Sequence, residues 1–561
     1  HSVMELSARA DQEGWLVLSL RPYNPEGISF LHKVKLFENR SGWLVDDKYK
    51  IEFSQAAQHH RVSDYHAGDV RLQMLTRPEQ LEGSCNAGML TAAAYFPLGA
   101  RHKLDMTVRI PLPGTAQENL QPDSWTVLRQ NTCKLVCPEA RYQSLYDQAV
   151  ASLIMHSPGD VYPGPYTYKR FWFRDAAFII HAMLLVGLQD RAKRAIDKFP
   201  KRQTSAGYFS SQAGEWDANG EVLWILNRYE QLTNTRLSED WENVIKRGAQ
   251  WIMRKRLPDE PASPHAGLLP AGFSAEHLGP NDYYYWDDFW CISGLYAAAK
   301  LLQHSDEQAA INCTKEAGEF SAAVNRSLAM CEKRLGRPAM PASPYRRLDA
   351  GAIGSIAVGY PLQACPPRDP RLLNTIEYLL DKCFVDGAFF QDMIHSGLNA
   401  YLTLEVAQIL LRAGDARFLQ LMDSVAGLAS PTGQWPEAIH PRTRGGCMGD
   451  GHHVWAAAEW VMMIRNCFVR EEGDTLILAA GIPPRWLEHE SYISFGPAPT
   501  SFGNVTVTIV PDSNDQVVVL WKADWHKRMP AIEVRLPGFG TVIPEPGSVS
   551  LILTRKEFAA A

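Results

Sequence analysis

The chain has 561 residues, too many for one ordinary hydrophobic core, so roughly two to four domains are expected. With 46% hydrophobic and 21% charged residues it has the composition of a soluble globular protein, and a net charge of -6 argues against a nucleic-acid binder, which would carry a basic stripe. No apolar run reaches the ~20 residues of a membrane span.

Residues 1–125 read as β. Trp15–Leu20, Val34–Leu36, Trp43–Val45, Val70–Leu75, Leu90–Phe96 and Leu104–Ile110 are short apolar or alternating runs separated by turn residues, the pattern of a β-sandwich. A helical block follows, with twelve predicted helices: Arg141–His156, Asp175–Val186, Asp190–Phe199, Asn219–Tyr229, Ser238–Arg256, Phe289–Leu302, Glu307–Lys333, Ala350–Val358, Pro370–Lys382, Ser396–Leu411, Ala416–Leu428 and His453–Ile464. Amphipathic helices alternate with helices apolar almost all round. Apolar helices belong inside and amphipathic ones outside, so six hairpins closed into a ring are expected. After residue 470 the chain turns β again, at Thr475–Leu478, Val505–Val510, Val517–Trp521, Ile532–Leu536 and Val549–Leu553. The expected architecture is an N-terminal β-sandwich (1–130), an (α/α)6 toroid (131–470) and a small C-terminal β-sandwich (471–561).

The ten cysteines are irregularly spaced, Cys133 and Cys137 are too far apart for a CxxC pair, and no zinc signature is present. Reduced thiols and a cytoplasmic protein are the expectation. The start, His1-Ser2-Val3-Met4, shows no signal-peptide pattern.

Each predicted inner helix is preceded by a loop rich in aromatic and acidic residues: Tyr168–Asp175, Gly207–Asn219, Asn281–Trp290, Tyr345–Ala350, Gly387–His395 and Gln434–His453. In a ring these loops converge at one end, where Trp and Tyr can stack on sugar rings and carboxylates can do acid–base work. The third loop holds Asp287 and Asp288 in an aromatic run. Like charge and desolvation should raise the pKa of at least one, fitting it to protonate a glycosidic oxygen; capping of the next helix is the plainer reading. Glu276, in the same stretch, is a further candidate acid. In the sixth loop Glu437 lies between Pro436 and Ala438, after Trp435, where a fixed carboxylate can activate water; a surface salt bridge to Arg442 is the alternative.

Candidate substrate-binding residues are Trp172, Arg174 and Asp175 in the first loop, and Glu215, Trp216 and Asp217 in the second. Tyr285 and Trp286 in the third and His440, Arg442, His452 and His453 in the sixth complete the set. Arg346, Arg347 and Asp349 read as surface charge, and Gln391, Asp392 and His395 rank lower. His440, His452, His453 and Asp450 match no zinc spacing, so no metal is expected.

These residues resemble the six-hairpin glycosidases, the group of glucoamylases, trehalases, rhamnosidases and their phosphorylase relatives. YKRFWFRDAA (Tyr168–Ala177) is similar to the Trp-x-Arg-Asp-Ala-Ala stretch of the glucoamylase first hairpin. EWDANG (Glu215–Gly220) looks like the second-hairpin Asp-x-x-Gly, and YYWDDFW (Tyr284–Trp290) resembles the aromatic–acid loop of the third hairpin and the Tyr-Trp-Asp of trehalases. The resemblance covers roughly residues 130–470. It implies a general acid before the sixth helix, at Asp287 or Asp288, and a general base before the twelfth, at Glu437. Glucoamylases use Glu as the acid, and the Trp-Pro-Glu context differs from theirs.

The resulting expectation is an inverting, exo-acting glycoside hydrolase with Asp287 as acid and Glu437 as base. An α-linked glucoside, as oligosaccharide or polysaccharide, is implied as substrate by the resemblance, and no cofactor is required. An inverting glycoside phosphorylase (with Arg442 and Arg444 near phosphate), a polysaccharide lyase (using Tyr283–Tyr285 or His265) and a non-catalytic carbohydrate-binding toroid stay open. So does assembly into a homo-oligomer.

Overall fold

The computed structural model describes residues 1–24, 27–73, 78–112, 125–260, 262–274, 281–392, 396–489, 491–512 and 515–555. The chain divides into two compact units, His1–Pro122 and Asp123–Ala561.

In the first unit six strands form an antiparallel sheet, in the spatial order Ser2–Arg9, Lys103–Ile110, Tyr49–Phe53, Gly42–Val45, Lys33–Leu36 and Glu82–Ser84. A second sheet is built from Gly14–Leu20, Thr91–Leu98 and His59–Ser63. Val34, Trp43, Phe53 and Val108 of the first sheet share one core with Val62, Ala92, Ala94 and Phe96 of the second. The alternate residues Ala93 and Tyr95 pack with Val70 on the other face. The expected strand at Val70–Leu75 is instead a 3-10 turn at Val70–Gln73, the rest of that stretch lying outside the described residues. Asp69 accepts the Arg71 N–H at 2.8 Å, and Val70 donates to Thr91 Oγ1 at 2.9 Å. That local bonding diverts the backbone from a ladder. Ser2–Arg9, not read from the sequence, is a mostly exposed edge strand with little apolar alternation to detect.

In the second unit a short helix α1 (Trp125–Gln130) precedes α2 (Ala140–Met155), α3 (Phe173–Leu185), α4 (Gln189–Ile196), α5 (Ala218–Thr233), α6 (Asp240–Lys255), α7 (Tyr285–Leu302) and α8 (Glu307–Leu335). Then come a 3-10 segment at Ala350–Val358, α9 (Pro370–Lys382), α10 (Ala400–Ala413), α11 (Arg417–Leu428) and α12 (Val454–Phe468). Helices α3, α7, α10 and α12, the 3-10 segment and most of α5 are buried. They touch in cyclic order, α3 on α5, α5 on α7, α7 on Ala350–Val358, that segment on α10, α10 on α12, and α12 back on α3. The amphipathic helices pack outside them: α6, for example, buries Trp241, Val244, Ile245, Gly248, Ala249 and Ile252, one stripe at helical spacing. The result is a helical toroid whose inner segments all begin at one end.

Ala350–Val358 is 3-10 rather than α because Gly351 and Gly354 weaken α-helix preference. The Asp349 carboxylate also accepts the Gly351 N–H at 3.0 Å, which tightens the first turn. Around loops five and six, Phe384–Val385, Ala388–Gln391, Gly397–Leu398, Ala438–Ile439 and Gly446–Met448 join in one small sheet that the sequence reading does not contain; Gly397–Leu398 falls where the helix Ser396–Leu411 is expected, and that helix begins only at Ala400. These runs are too short for a period to show. Beyond residue 468, Ile493–Thr500, Gly503–Pro511, Gln516–Trp525 and Ser550–Thr554 form a sheet with Lys134–Val136. Phe495, Val507 and Trp521 belong to the same hydrophobic core as the toroid, so the strands after 470 and the helices make one compact unit.

Helices α5 and α7 cross at glycines. A Cβ on Gly220 would stand 2.3 Å from the carbonyl of Trp290, and one on Gly294 would stand 2.6 Å from the Cα of Gly220. Neither backbone can yield without moving a whole helix. Gly220→Ala should therefore destabilise the protein by about 1–3 kcal/mol, read as a lowered midpoint in urea unfolding; an unchanged midpoint would show that the ring yields freely there.

Candidate active site

The acidic loops meet at the end of the toroid where the inner helices start. Asp450 ties the sixth loop to the first. Its carboxylate is fully buried and accepts the backbone N–H groups of Tyr166 (3.1 Å), Thr167 (2.8 Å) and Tyr168 (3.0 Å). Burial pushes this carboxyl up, but those N–H bonds outweigh it and hold its pKa below the usual range. Gly164 allows the approach, since a Cβ there would lie 2.0 Å from Asp450 Oδ2.

This tie brings Tyr168 over Glu437. The Tyr168 hydroxyl donates to Glu437 Oε2 at 2.5 Å. On another side Gly449, in left-handed conformation (φ +66°), packs so closely that a Cβ would meet the same oxygen at 2.2 Å. Asn399 donates to the Glu437 carbonyl at 2.9 Å, just before the strand Ala438–Ile439. Glu437 is thus a buried, fixed carboxylate rather than a surface partner of Arg442, which is exposed.

The second cluster surrounds Arg174 in the first turn of α3. Its guanidinium donates to Glu215 Oε1 and to Asp217 Oδ2, each at 3.2 Å, and Trp286 Nε1 also donates to Asp217 Oδ2 at 2.9 Å. All four residues are buried. Helix α7 starts at Tyr285, earlier than the sequence suggests, so Asp287 and Asp288 lie in its first turn and neither is the N-cap, which is Tyr284.

The two aspartates differ. Asp288 Oδ1 accepts the Leu269 N–H at 3.0 Å, anchoring the chain that precedes the third loop. Burial pushes its pKa up to about 8, against the pull of that N–H and of Arg256. Asp287 is 1% exposed, and neither carboxyl oxygen has a hydrogen-bond partner among the described residues. Burial first, then Asp217, Asp288 and Glu215, push its pKa well above the usual carboxylate range, and Arg174 only partly opposes them.

An aromatic floor runs beneath. Phe178 packs on Trp455 (ring centroids 4.5 Å apart) and faces Trp286 (6.5 Å); Tyr401 bridges Trp455 and His453 (4.8 and 5.0 Å). Asp175 is buried in the first turn of α3.

Other predicted residues face elsewhere. Tyr285 points its hydroxyl at Ser327 in α8 (2.6 Å). Trp216 carries the Lys255 ammonium 3.7 Å over its ring. Trp172 binds Gln212 Oε1 (3.0 Å) under the Arg170 guanidinium. His452 turns toward α2, where its Nε2 is 2.7 Å from Ser152 Oγ, and burial lowers its pKa to about 4. His440 Nδ1 accepts the N–H groups of Arg442 and Thr443, stiffening an exposed turn. Arg346 pairs with Asp349 (2.9 Å), His265 stacks on Tyr283 at the rim (4.4 Å), Gln391 is buried and Asp392 exposed. Glu276 and His395 lie outside the described residues. No group of three or more metal-ligating side chains forms among the described residues. Tyr168, Asn399, Tyr401 and Gly449, absent from the sequence-based candidates, all frame the site; no spacing rule links Tyr168 to a carboxylate in the last hairpin.

No protein-family model matches the chain, and no curated protein is significantly similar to it. Among solved structures it is similar to a bacterial glucoamylase complexed with acarbose, at 13% identity and a TM-score of 0.54, covering 81% of this chain and 77% of that one. It is also similar to the GH78-family rhamnosidase of Bacillus sp. GL1, at 13% identity and a TM-score of 0.53, covering 96% of this chain and 53% of that one. At such identities the likeness is one of fold, and the expected resemblance to the (α/α)6-barrel glycosidases holds at that level.

A carboxyl raised to about pH 8 in the folded protein, against ~3.9 unfolded, binds a proton that the unfolded chain has released. The folded state thus loses stability as pH rises through that window. Asp288→Asn keeps the acceptor for Leu269 but removes the titration. Between about pH 5 and pH 8 the melting temperature of wild type should fall relative to that of the variant; parallel curves would contradict the assignment.

Proposed function

We propose that this protein is an inverting, exo-acting glycoside hydrolase in which Asp287 is the general acid and Glu437 the general base. The observation that carries the reading is the buried Asp287 carboxyl, with no hydrogen-bond partner among the described residues for either oxygen, at the same end of the toroid as a carboxylate fixed by Tyr168. The proton on Asp287 goes to the glycosidic oxygen as the C–O bond breaks. Glu437 takes a proton from the water that attacks the anomeric carbon from the opposite face. The sugar leaves with inverted configuration, and the two carboxyl groups end with their protons exchanged, to be restored by solvent. Arg174 is taken up by Glu215 and Asp217, so its role is to hold beside Asp287 two acids whose charge raises the latter's proton affinity more than the guanidinium lowers it. Trp286, Trp455 and Tyr401 offer apolar faces to the pyranose. An α-linked glucoside is the proposed substrate class, and Asp288 is a positioning residue.

Proton NMR of the anomeric region during turnover of a panel of α- and β-linked disaccharides tests this. Wild type should release a sugar of inverted anomeric configuration, and Asp287→Asn and Glu437→Gln should each lower kcat by about a thousandfold with folding intact. Product with retained configuration, turnover only with added phosphate, or full activity in either variant would overturn the reading.

Tyr168→Phe removes one hydrogen bond to the Glu437 carboxylate. It should lower kcat about ten- to a hundredfold with little change in KM. An unchanged kcat would take Tyr168 out of the reaction.

A further inference from the structure

At the opposite end of the toroid, where α3, α5, α7 and α12 finish, lies a cavity of about 770 Å3. That is within the ~300–1,000 Å3 of small-molecule sites. Four basic side chains, Arg228, Lys300, Arg465 and Arg470, and two acidic ones, Glu471 and Asp474, line it. Arg465 Nη1 binds Glu471 Oε2 at 2.7 Å, and Arg228 Nη2 reaches the other oxygen at 3.8 Å, two guanidinium groups sharing one carboxylate. Burial pushes Glu471 up, yet these two arginines hold its pKa at about 2, so it stays charged and the wall keeps a surplus of positive charge. Arg470 likewise shares Glu472 with Arg412, and its Nε and Nη2 are buried without a hydrogen-bond partner among the described residues.

His181, on α3, is the second observation. It is 8% exposed and lines the same cavity, and neither ring nitrogen has a hydrogen-bond partner among the described residues. Burial, helped by Arg228 and Arg465, holds its pKa well below the usual value. The ring is therefore neutral, with one donor and one acceptor. Buried polar groups left unpaired are rare in folded proteins, and each asks for a partner. The Asn227 amide, the Gln231 amide (its oxygen already accepting from Arg228 at 2.8 Å) and the indole of Trp224 complete a lining suited to hydroxyls on a ring.

We propose that this cavity is a second ligand site, separate from the acidic loops, for a small saccharide bearing one phosphate or carboxylate group. The oxyanion offsets the surplus guanidinium charge, and the hydroxyls meet the amides. The site does not depend on the hydrolase reading.

Isothermal titration of glucose 6-phosphate, gluconate, maltose and inorganic phosphate into wild type, Asp287→Asn, Arg228→Gln and Lys300→Gln tests it, with circular dichroism to establish folding. Lys300 is exposed at the rim, so its variant should fold even if Arg228→Gln does not. The expected result is saturable binding of glucose 6-phosphate or gluconate to wild type and equally to Asp287→Asn, weakened about tenfold in each folded charge variant, whereas maltose, a ligand of the acidic loops, binds the charge variants as it binds wild type. The stronger of the two ligands identifies the anion. The proposal falls if neither anionic sugar binds, if the charge variants weaken maltose as much as the anionic sugars, or if inorganic phosphate binds as tightly as glucose 6-phosphate. It falls equally if Asp287→Asn abolishes binding or the charge variants leave it unchanged.

Discussion

Closure of the ring brings the first and last hairpins together, and the buried carboxylate of Asp450 holds them there. One side chain accepts three consecutive backbone N–H groups from a loop nearly three hundred positions earlier in the chain. Val454 N–H adds a bond to the Pro163 carbonyl at 2.8 Å, so the start of α12 is stitched to the same loop. A charged carboxylate is stable in this burial because its acceptor capacity is met by aligned donors. Where the first loop lies then fixes Tyr168 against Glu437, so a structural closure becomes the positioning of a reactive group.

The other half of the site is governed by crowding rather than by pairing. A single guanidinium, that of Arg174, stands among Glu215, Asp217 and Asp287 and binds only the first two. The third has no hydrogen-bond partner among the described residues and is buried, which favours the neutral carboxylic acid. Two carboxyl groups at one mouth thus differ in character through their neighbours, the one held by a tyrosine hydroxyl and a glycine backbone, the other crowded by carboxylates.

Most of the architecture was readable as a sequence because it rests on burial. The apolar runs Ala176–Leu185 and Trp455–Ile464 permit little but an inner helix, and the amphipathic stripe of Ser238–Arg256 little but an outer one. Asp287, Glu437 and Arg174 were legible because acidic and aromatic residues recur before each inner helix. What pattern could not supply is which way a side chain faces. Tyr285 and Trp286 are adjacent, yet one turns to Ser327 and the other to Asp217. His452 and His453 divide similarly, toward α2 and toward Tyr401. The short strands of loops five and six and the edge strand Ser2–Arg9 left no periodic trace, and Asp69 converted an expected strand into a turn.

The inner ring has staves of unequal length. The nine residues of Ala350–Val358, with the ~2.0 Å rise of a 3-10 helix, span about 18 Å, whereas the eighteen of α7 span about 27 Å at 1.5 Å each. The thirteen residues of α3 span about 20 Å, so the staves differ in length, and the chain at Tyr360–Ala364, beyond the fourth, becomes part of the wall of the far cavity. A ring of equal staves would finish in a flat rim. This one finishes in a cup, walled in part by the chain that follows Ala350–Val358.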